Sequence, residues 1–330
     1  MPRRLVLLGS DEIALPAFAA ARALPDTEVV AVYSQPDRPA GRGQEIRPNP
    51  VAAWARAEGL NLLQPEKLEV ADAAHLASLH ADLGVVMAYG QLLKDDFLVA
   101  TRLGFVNFHG SLLPELRGAT PVEGALALGL TETGVSMQQV VRKLDAGPIH
   151  AAAKVRIRPG EGRVALRARL GLLAGELASA ALPAVLAGTS VAVPQDESKV
   201  TYARRLARAD APLDFRQPAA VLCHRILAVE GWPGSTFEHR ASLIKVGAAT
   251  AEDGVVAGAP GSIIAADRAG VRIACGRGTL LLSHLQRPGG KMLPAGEFLA
   301  GYPLMVGEVL ASAEMPAFVA DRPFPRLPKA

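Results

Sequence analysis

Polar residues of catalytic type gather in one short stretch, Gly104-Phe105-Val106-Asn107-Phe108-His109-Gly110-Ser111-Leu112-Leu113-Pro114. Its first half alternates as a strand does, so Phe105, Asn107 and His109 share one face and Val106 and Phe108 the other. Two residues of strand rise set the Asn107 and His109 Cα atoms about 7 Å apart, and both side chains can then reach one small reacting group. Gly110 to Thr120 reads as a loop, with Pro114, Gly118 and a Thr120-Pro121 helix start. Its backbone N–H groups are free to hold a ligand. Asp145, in Leu144-Asp145-Ala146-Gly147, is the third candidate. Taken singly these residues have ordinary explanations: an Asn at a strand end or an Asp near a glycine is a common turn former, and a lone His is commonly a satisfied core or surface residue. Asn107 and His109 together, at one strand end before the Gly110-Ser111 loop, point to a site.

The elements that must position them read as alternating strands and helices. Apolar strand runs cover Arg4 to Gly9, Glu28 to Ser34, Asp82 to Ala88 and Gly104 to His109, with two more near Gly134 to Val141 and Ile149 to Ile157. Helical patterns cover Glu12 to Leu24, Asn49 to Gly59, Ala71 to His80 and about Gly162 to Leu186. This βαβα rhythm predicts an α/β fold, a doubly wound, mostly parallel, Rossmann-like sheet over residues 1–190. In such sheets the C-terminal ends of the strands, where Asn107 and His109 fall, hold the ligand. Residues 191–209 read as a linker. A short helix fits Pro218 to Ala228. From Gly261 the runs shorten, Gly261 to Ala265, Gly270 to Cys275 and Gly278 to Gln286, with glycine turns between them. Over residues 210–330 that spacing predicts a small, OB-like β-barrel.

Composition narrows the function. The 330 residues are 50% hydrophobic and 20% charged, as a folded globular chain is and a disordered one is not. Cys223 and Cys275 are the only cysteines, which excludes a disulfide scaffold and a multi-cysteine zinc site. No G-x-G-x-x-G follows the first strand and no P-loop occurs, which disfavours NAD and ATP. The apolar run after Met1 is too short for a secretory segment, and the longest apolar stretch, Leu170 to Gly188, is broken by Glu176 and Pro183. A cytoplasmic location without membrane contact is expected. Residues 1–190 carry 19 basic and 19 acidic side chains, and 191–330 carry 16 and 13, so the net charge of +3 lies wholly in the second part. Arg268 to Lys291 holds five basic residues and no acid, which fits either a solvated face or a polyanion-binding one.

At this level of detail the chain resembles the folate-dependent formyltransferases. Asn107, His109 and Ser111-Leu112-Leu113-Pro114, then Arg117-Gly118-Ala119 and Leu144-Asp145-Ala146-Gly147, look like that family's signature. Within it the likeness is to the branch that formylates initiator methionyl-tRNA. Gln35-Pro36-Asp37-Arg38-Pro39-Ala40-Gly41-Arg42-Gly43 is similar to a tRNA-facing insertion of that branch, and Val86-Met87-Ala88-Tyr89-Gly90 resembles its folate-pocket strand. Gln195-Asp196-Glu197 with Thr201-Tyr202-Ala203 resembles its interdomain segment, and Gly231-Trp232-Pro233-Gly234 its C-terminal domain. The first loop departs, reading Gly9-Ser10-Asp11-Glu12-Ile13-Ala14 where the family usually has Gly-Thr-Pro-x-Phe-Ala.

The resemblance implies transfer of a formyl group from 10-formyltetrahydrofolate to the α-amino group of methionine on initiator tRNA, through a tetrahedral intermediate. Asn107 would offer its amide NH2 and His109 a ring N–H to the developing oxyanion; Asp145 would orient His109, favour its protonated form and take the amine's proton. Folate would lie against Tyr89, Gly90 and Leu92, with Ser111, Leu112, Leu113 and Pro114 as a second wall. The tRNA would be held by Arg38 and Arg42 in an irregular, mobile loop, and by Arg208, Lys245, Arg287 and Lys291, chiefly through phosphates. No metal is implied, and a monomer is expected. A formyltransferase acting on an amino sugar nucleotide would share Asn107, His109 and Asp145 without needing the arginine loop. A folate-dependent hydrolase releasing formate is a further alternative. A catalytically inert RNA-binding module would need only the basic second part.

Overall fold

The computed structural model describes residues 1–40, 43, 45–254 and 258–325. The chain forms two compact units, neither continuous in sequence. One holds Met1–Gly118, Glu132–Arg156 and Arg167–Thr201; the other holds Ala119–Thr131, Ile157–Leu166 and Tyr202–Ala330.

The first unit is built on a seven-stranded sheet: β1 (Arg3–Leu8), β2 (Thr27–Tyr33), β3 (Leu62–Leu63), β4 (Leu83–Val86), β5 (Phe105–His109), β6 (Glu132–Gln139) and β7 (Ile149–Arg156). Their order is β7-β6-β5-β4-β1-β2-β3. The five strands from β3 to β5 are parallel, and β6 and β7 extend the sheet antiparallel. Leu5 to Leu8 are completely buried, and so are Leu83 and Val85, as befits strands covered on both faces. The chain runs outward from β1 to β3, then crosses back to β4. The order therefore reverses between β1 and β4, the switch point beside which α/β sheets bind ligands.

Loops at that edge are tied together by Gly9, Ser10 and Asp11. Gly9 is required: a Cβ there would lie 2.7 Å from the Phe18 ring and 2.8 Å from the Met87 carbonyl. Ser10 Oγ accepts from Gln35 N at 2.9 Å and donates to Tyr89 O at 3.3 Å. Asp11 caps a short 3-10 turn, Glu12–Ala14, through Ile13 N, and pairs with Arg167 at 2.8 Å. The α-helix proper begins later than Glu12, at Leu15, and ends at Arg22. Asn49 and Pro50 start the next helix, Pro50–Ala57, by the same capping logic, with Ala52 N donating to Asn49 Oδ1 at 3.0 Å.

The 24-residue helix Arg163–Leu186 runs through Glu176 and Pro183 without a break. By length and composition it could cross a membrane, but half of its apolar window is buried inside the protein. Leu170, Ala174, Ala178 and Leu182 recur every fourth residue and are all fully buried, which is the stripe of a helix covering a core. Gly171 and Gly175 bring it against the Ile13 and Pro16 carbonyls, 3.0 Å from where a Cβ would sit.

The second unit carries an antiparallel sheet of β8 (Ser235–His239), β9 (Ser242–Glu252), β10 (Ile263–Asp267), β11 (Gly270–Ala274), β12 (Thr279–Gln286) and β13 (Leu293–Pro294). The order is β8-β9-β12-β11-β10, with β13 on β12. Among the described residues no ladder joins β10 back to β8. The helix Ala219–Ala228 packs its Leu222 and Ile226 into a core with Phe215, Phe237, Ile244, Leu280 and Leu282. The stretch expected as a linker, 191–209, carries regular local structure. It holds 3-10 turns at Glu197–Lys199 and Arg208–Asp210, and Tyr202–Ala203 pairs with Val319–Ala320.

Candidate active site

Asn107 and His109 stand at the C-terminal end of β5, between β4 and β6. Asn107 is opposite Val86 on one side and Gln138 on the other; His109 is opposite Ser136. Phe105, on the same face, is fully buried over Gly84, so this face is core at its start and polar at its end. Asn107 is half-buried, and among the described residues its side-chain amide makes no hydrogen bond.

His109 is buried, and its contact with a backbone carbonyl places one ring proton. Nε2 lies 2.9 Å from the Leu116 carbonyl, which only accepts, so Nε2 carries a proton. Nδ1 is therefore the ring nitrogen left for chemistry, and it faces Asp145 Oδ1 at 3.8 Å. Asp145 holds a left-handed backbone conformation, φ 49°, in the turn after β6. Its Oδ2 accepts from Gly118 N at 2.8 Å and its Oδ1 from Gln138 Nε2 at 3.2 Å. Gly147 lets this turn close onto β6, because a Cβ there would sit 1.7 Å from the Gln139 carbonyl. Gly147→Ala is expected to displace the Asp145 carboxylate and lower turnover by about 10²-fold, the usual effect of a misplacement near 1 Å. An unchanged rate in a folded Gly147→Ala protein would show that the turn's position is immaterial.

Beneath Asp145 lies a network whose function the sequence did not disclose. Arg117, completely buried, donates to Gln195 Oε1 from Nε (3.0 Å) and Nη2 (2.7 Å), and to Glu197 Oε1 at 2.7 Å. Lys143 pairs with the other Glu197 oxygen at 2.7 Å. The hydrogen bonds from Arg117 first, then Lys143, hold the Glu197 carboxyl down from 4.5 to about 2. Its folded value lies below its unfolded one. The stability it lends is therefore complete above pH 4.5 and lost as the pH falls toward 2. Denaturant unfolding at stepped pH should show a shallower acid limb in Glu197→Gln than in the parent chain. Identical limbs would remove Glu197 from the acid response.

The loop residues divide by role. Ser111 Oγ donates to Glu115 O at 2.6 Å, and Ser136 Oγ donates to Ser111 O at 2.8 Å and accepts from Leu113 N at 3.0 Å. The Ser111 hydroxyl is thus spent on holding its own loop. Leu113 is buried, while Leu112 and Pro114 are half-buried, and Leu112 packs over Gly134. Tyr89 turns its ring into the core with Val6, Tyr33, Phe97 and Phe105, while its carbonyl accepts from Ser10 Oγ and Gln35 Nε2. Burial pushes its phenol well above the usual range. Gly90 is exposed at φ 88°, and Leu92 is 64% exposed.

Of the basic residues, Arg38 is ion-paired with Glu66. Its segment is more regular than the glycines and prolines suggest, since Arg38–Ala40 pairs antiparallel with Glu45–Arg47. Arg42 lies outside the described residues. Arg208, Lys245, Arg287 and Lys291 are exposed on the second unit; Arg287 also donates to the Gly301 carbonyl at 3.3 Å. The acid-free run Arg268 to Lys291 is not a wholly free cationic face. Arg272 pairs with Glu252, from β9, at 3.0 and 3.1 Å.

The comparisons with known proteins bear on both units. Residues 17–186 match the family described as formyl transferase, and residues 205–303 match formyl transferase, C-terminal domain. The chain is 40% identical to a methionyl-tRNA formyltransferase of Myxococcus xanthus over 92% of its length and 96% of that protein. It is 40% identical to one of Parvibaculum lavamentivorans over 93% of its length and 100% of that protein. Among solved structures it is similar in fold to an N-formyltransferase from Helicobacter canadensis in complex with folinic acid and dTDP-3-aminofucose. The TM-score is 0.65 at 13% identity, covering 86% of this chain and 99% of that one.

Proposed function

Because the chain belongs to the methionyl-tRNA formyltransferase family, we propose that it transfers the formyl group of 10-formyltetrahydrofolate to the α-amino group of methionine carried by initiator tRNA. The observation that carries this reading is the convergence of an unengaged Asn107 amide, the free Nδ1 side of His109 and the Asp145 carboxylate at one strand end. The amine nitrogen attacks the formyl carbon, a C–N bond forms, and negative charge develops on the formyl oxygen. Asn107 NH2 and the protonated Nδ1 of His109 donate to that oxygen. Asp145 Oδ1 holds the imidazolium in place by charge and receives the proton shed by the attacking amine, directly or through a water. Collapse breaks the bond from the formyl carbon to N10, which takes up the proton held by Asp145 and leaves as tetrahydrofolate.

The backbone of Tyr89 and Gly90, with Leu92 and the Leu112-Leu113-Pro114 loop, forms the folate wall in this reading. Folinic acid in the Helicobacter canadensis structure supports a folate carrier for the family. The second unit supplies Arg208, Lys245, Arg287 and Lys291 to tRNA phosphates, and its five-strand path is read as a small OB-like barrel. Such an enzyme works in the cytoplasm, as a monomer, without a metal. Given a donor with a labelled formyl group, the purified chain should label charged initiator tRNA and leave uncharged tRNA unlabelled. Label on uncharged tRNA, or on neither, would contradict the reading.

A further inference from the structure

We propose that Gln195 is a positioning residue for Asp145, a role that rests on the reading of Asp145 given above. The argument is one of hydrogen-bond polarity. A guanidinium only donates, so the two bonds from Arg117 fix Gln195 with its Oε1 toward Arg117. Its NH2 must then face the other way. There Nε2 lies 2.9 Å from the Asp145 carbonyl, 2.7 Å from the Gly147 carbonyl and 3.2 Å from Gln138 Oε1. The last contact sets the Gln138 amide in turn: with its oxygen toward Gln195, its NH2 is presented to Asp145 Oδ1 at 3.2 Å.

One buried arginine thus determines, through two amides, that a donor rather than an acceptor meets the carboxylate. Gln195 also grips the turn on both sides of Ala146, where Asp145 holds a backbone conformation that a non-glycine residue rarely adopts. Gln195 itself bonds Asp145 at its backbone carbonyl, and Gln138 carries the contact to the carboxylate. Its effect reaches the reaction through the place and orientation of one carboxylate.

Gln195→Glu tests the polarity. It keeps an oxygen for Arg117 but sets a second oxygen against three acceptors, and it lets Gln138 turn its own oxygen toward Asp145. With methionyl-tRNA and 10-formyltetrahydrofolate, kcat should fall about 10²-fold, with KM for both substrates within a few fold and the fold intact by circular dichroism. Gln195→Met, of similar length and with no donor, should fall similarly and serves if the Glu variant does not fold. In an Asp145→Asn background, single-turnover rates should change by less than about twofold on adding either substitution, because the relay no longer has its target. Wild-type kcat in Gln195→Glu would overturn the proposal. An equal loss in both backgrounds would do so too, by showing that Gln195 does not act through Asp145. Full activity of Asp145→Asn itself would instead remove Asp145 from the mechanism, and the proposal with it.

Discussion

Asp145→Asn lowers the turnover of formyl transfer by about 10²–10⁴-fold, the usual span for loss of a positioned acid–base group, while affinity for charged tRNA stays within a few fold. The size of the effect follows from where each oxygen points. Oδ2 accepts from the Gly118 amide at 2.8 Å, while Oδ1 accepts from Gln138 and faces His109 Nδ1. An asparagine keeps one oxygen. Placed at Gly118, it turns an NH2 toward both the Gln138 NH2 and the imidazole. Placed the other way, it opposes NH2 to the Gly118 N–H. Either orientation also removes the carboxylate charge beside the imidazole and the acceptor for the amine's proton. Single-turnover kinetics with charged initiator tRNA, together with a filter-binding titration of the same tRNA, separates the two quantities. Near-normal turnover in a folded Asp145→Asn protein would refute the role.

The second large effect is on stability. Asp210 is completely buried in the second unit and accepts from Arg204 Nη1 (2.9 Å) and Nη2, Arg225 Nη2 (3.0 Å) and the Ala207 amide (2.7 Å). Arg225 is nearly as buried. Its guanidinium lies 3.7 Å from the Phe318 ring centroid and donates to the Pro316 carbonyl at 2.9 Å. Burial, opposed chiefly by Asp210, lowers its pKa to about 10. Asp210→Ala would leave two guanidinium groups sharing a dry site without a counterion. Breaking one side of such a cluster costs about 3–5 kcal/mol, far more than the cluster's net worth, because the remaining charges stay buried. The chain has two tryptophans, Trp54 in the first unit and Trp232 in the second. Removing Trp54 by Trp54→Phe leaves denaturant unfolding to be read from Trp232 alone. A change below about 1 kcal/mol, the range of an exposed pair, would show that the cluster is solvated.

The parts of this molecule legible in the sequence are those where one residue type dominates a run. Leu5 to Leu8 and Leu83 to Val86 announce buried parallel strands because every position must be apolar. Asn107 and His109 are legible because strand alternation puts them on one face. β9 carries a weak strand signal. Ser242–Glu252 mixes alanine, Gly247 and charged residues, and much of it is exposed, so its periodicity is faint. Arg117 was legible only as part of a motif. Its complete burial depends on Gln195 and Glu197, some 80 residues away in sequence, and local composition carries no trace of such a pairing. The same distance effect hides Glu252 beside Arg272 and Glu66 beside Arg38. At Tyr89 sequence cannot tell side chain from backbone: the ring turns into the core while the carbonyl accepts from Ser10 in the first loop.

The central claim is that the Asn107, His109 and Asp145 site passes a formyl group from a folate to the amino group of a charged initiator tRNA. The most direct measurement offers the intact chain 10-formyltetrahydrofolate with a labelled formyl carbon, together with equal concentrations of methionyl initiator tRNA and a dTDP-linked amino sugar. The label is then followed after mild alkaline release of the amino acid. The label is expected on the methionine nitrogen and in neither the sugar nor free formate. Label on the sugar would make this an amino sugar formyltransferase, label in formate a hydrolase, and either result would contradict the account.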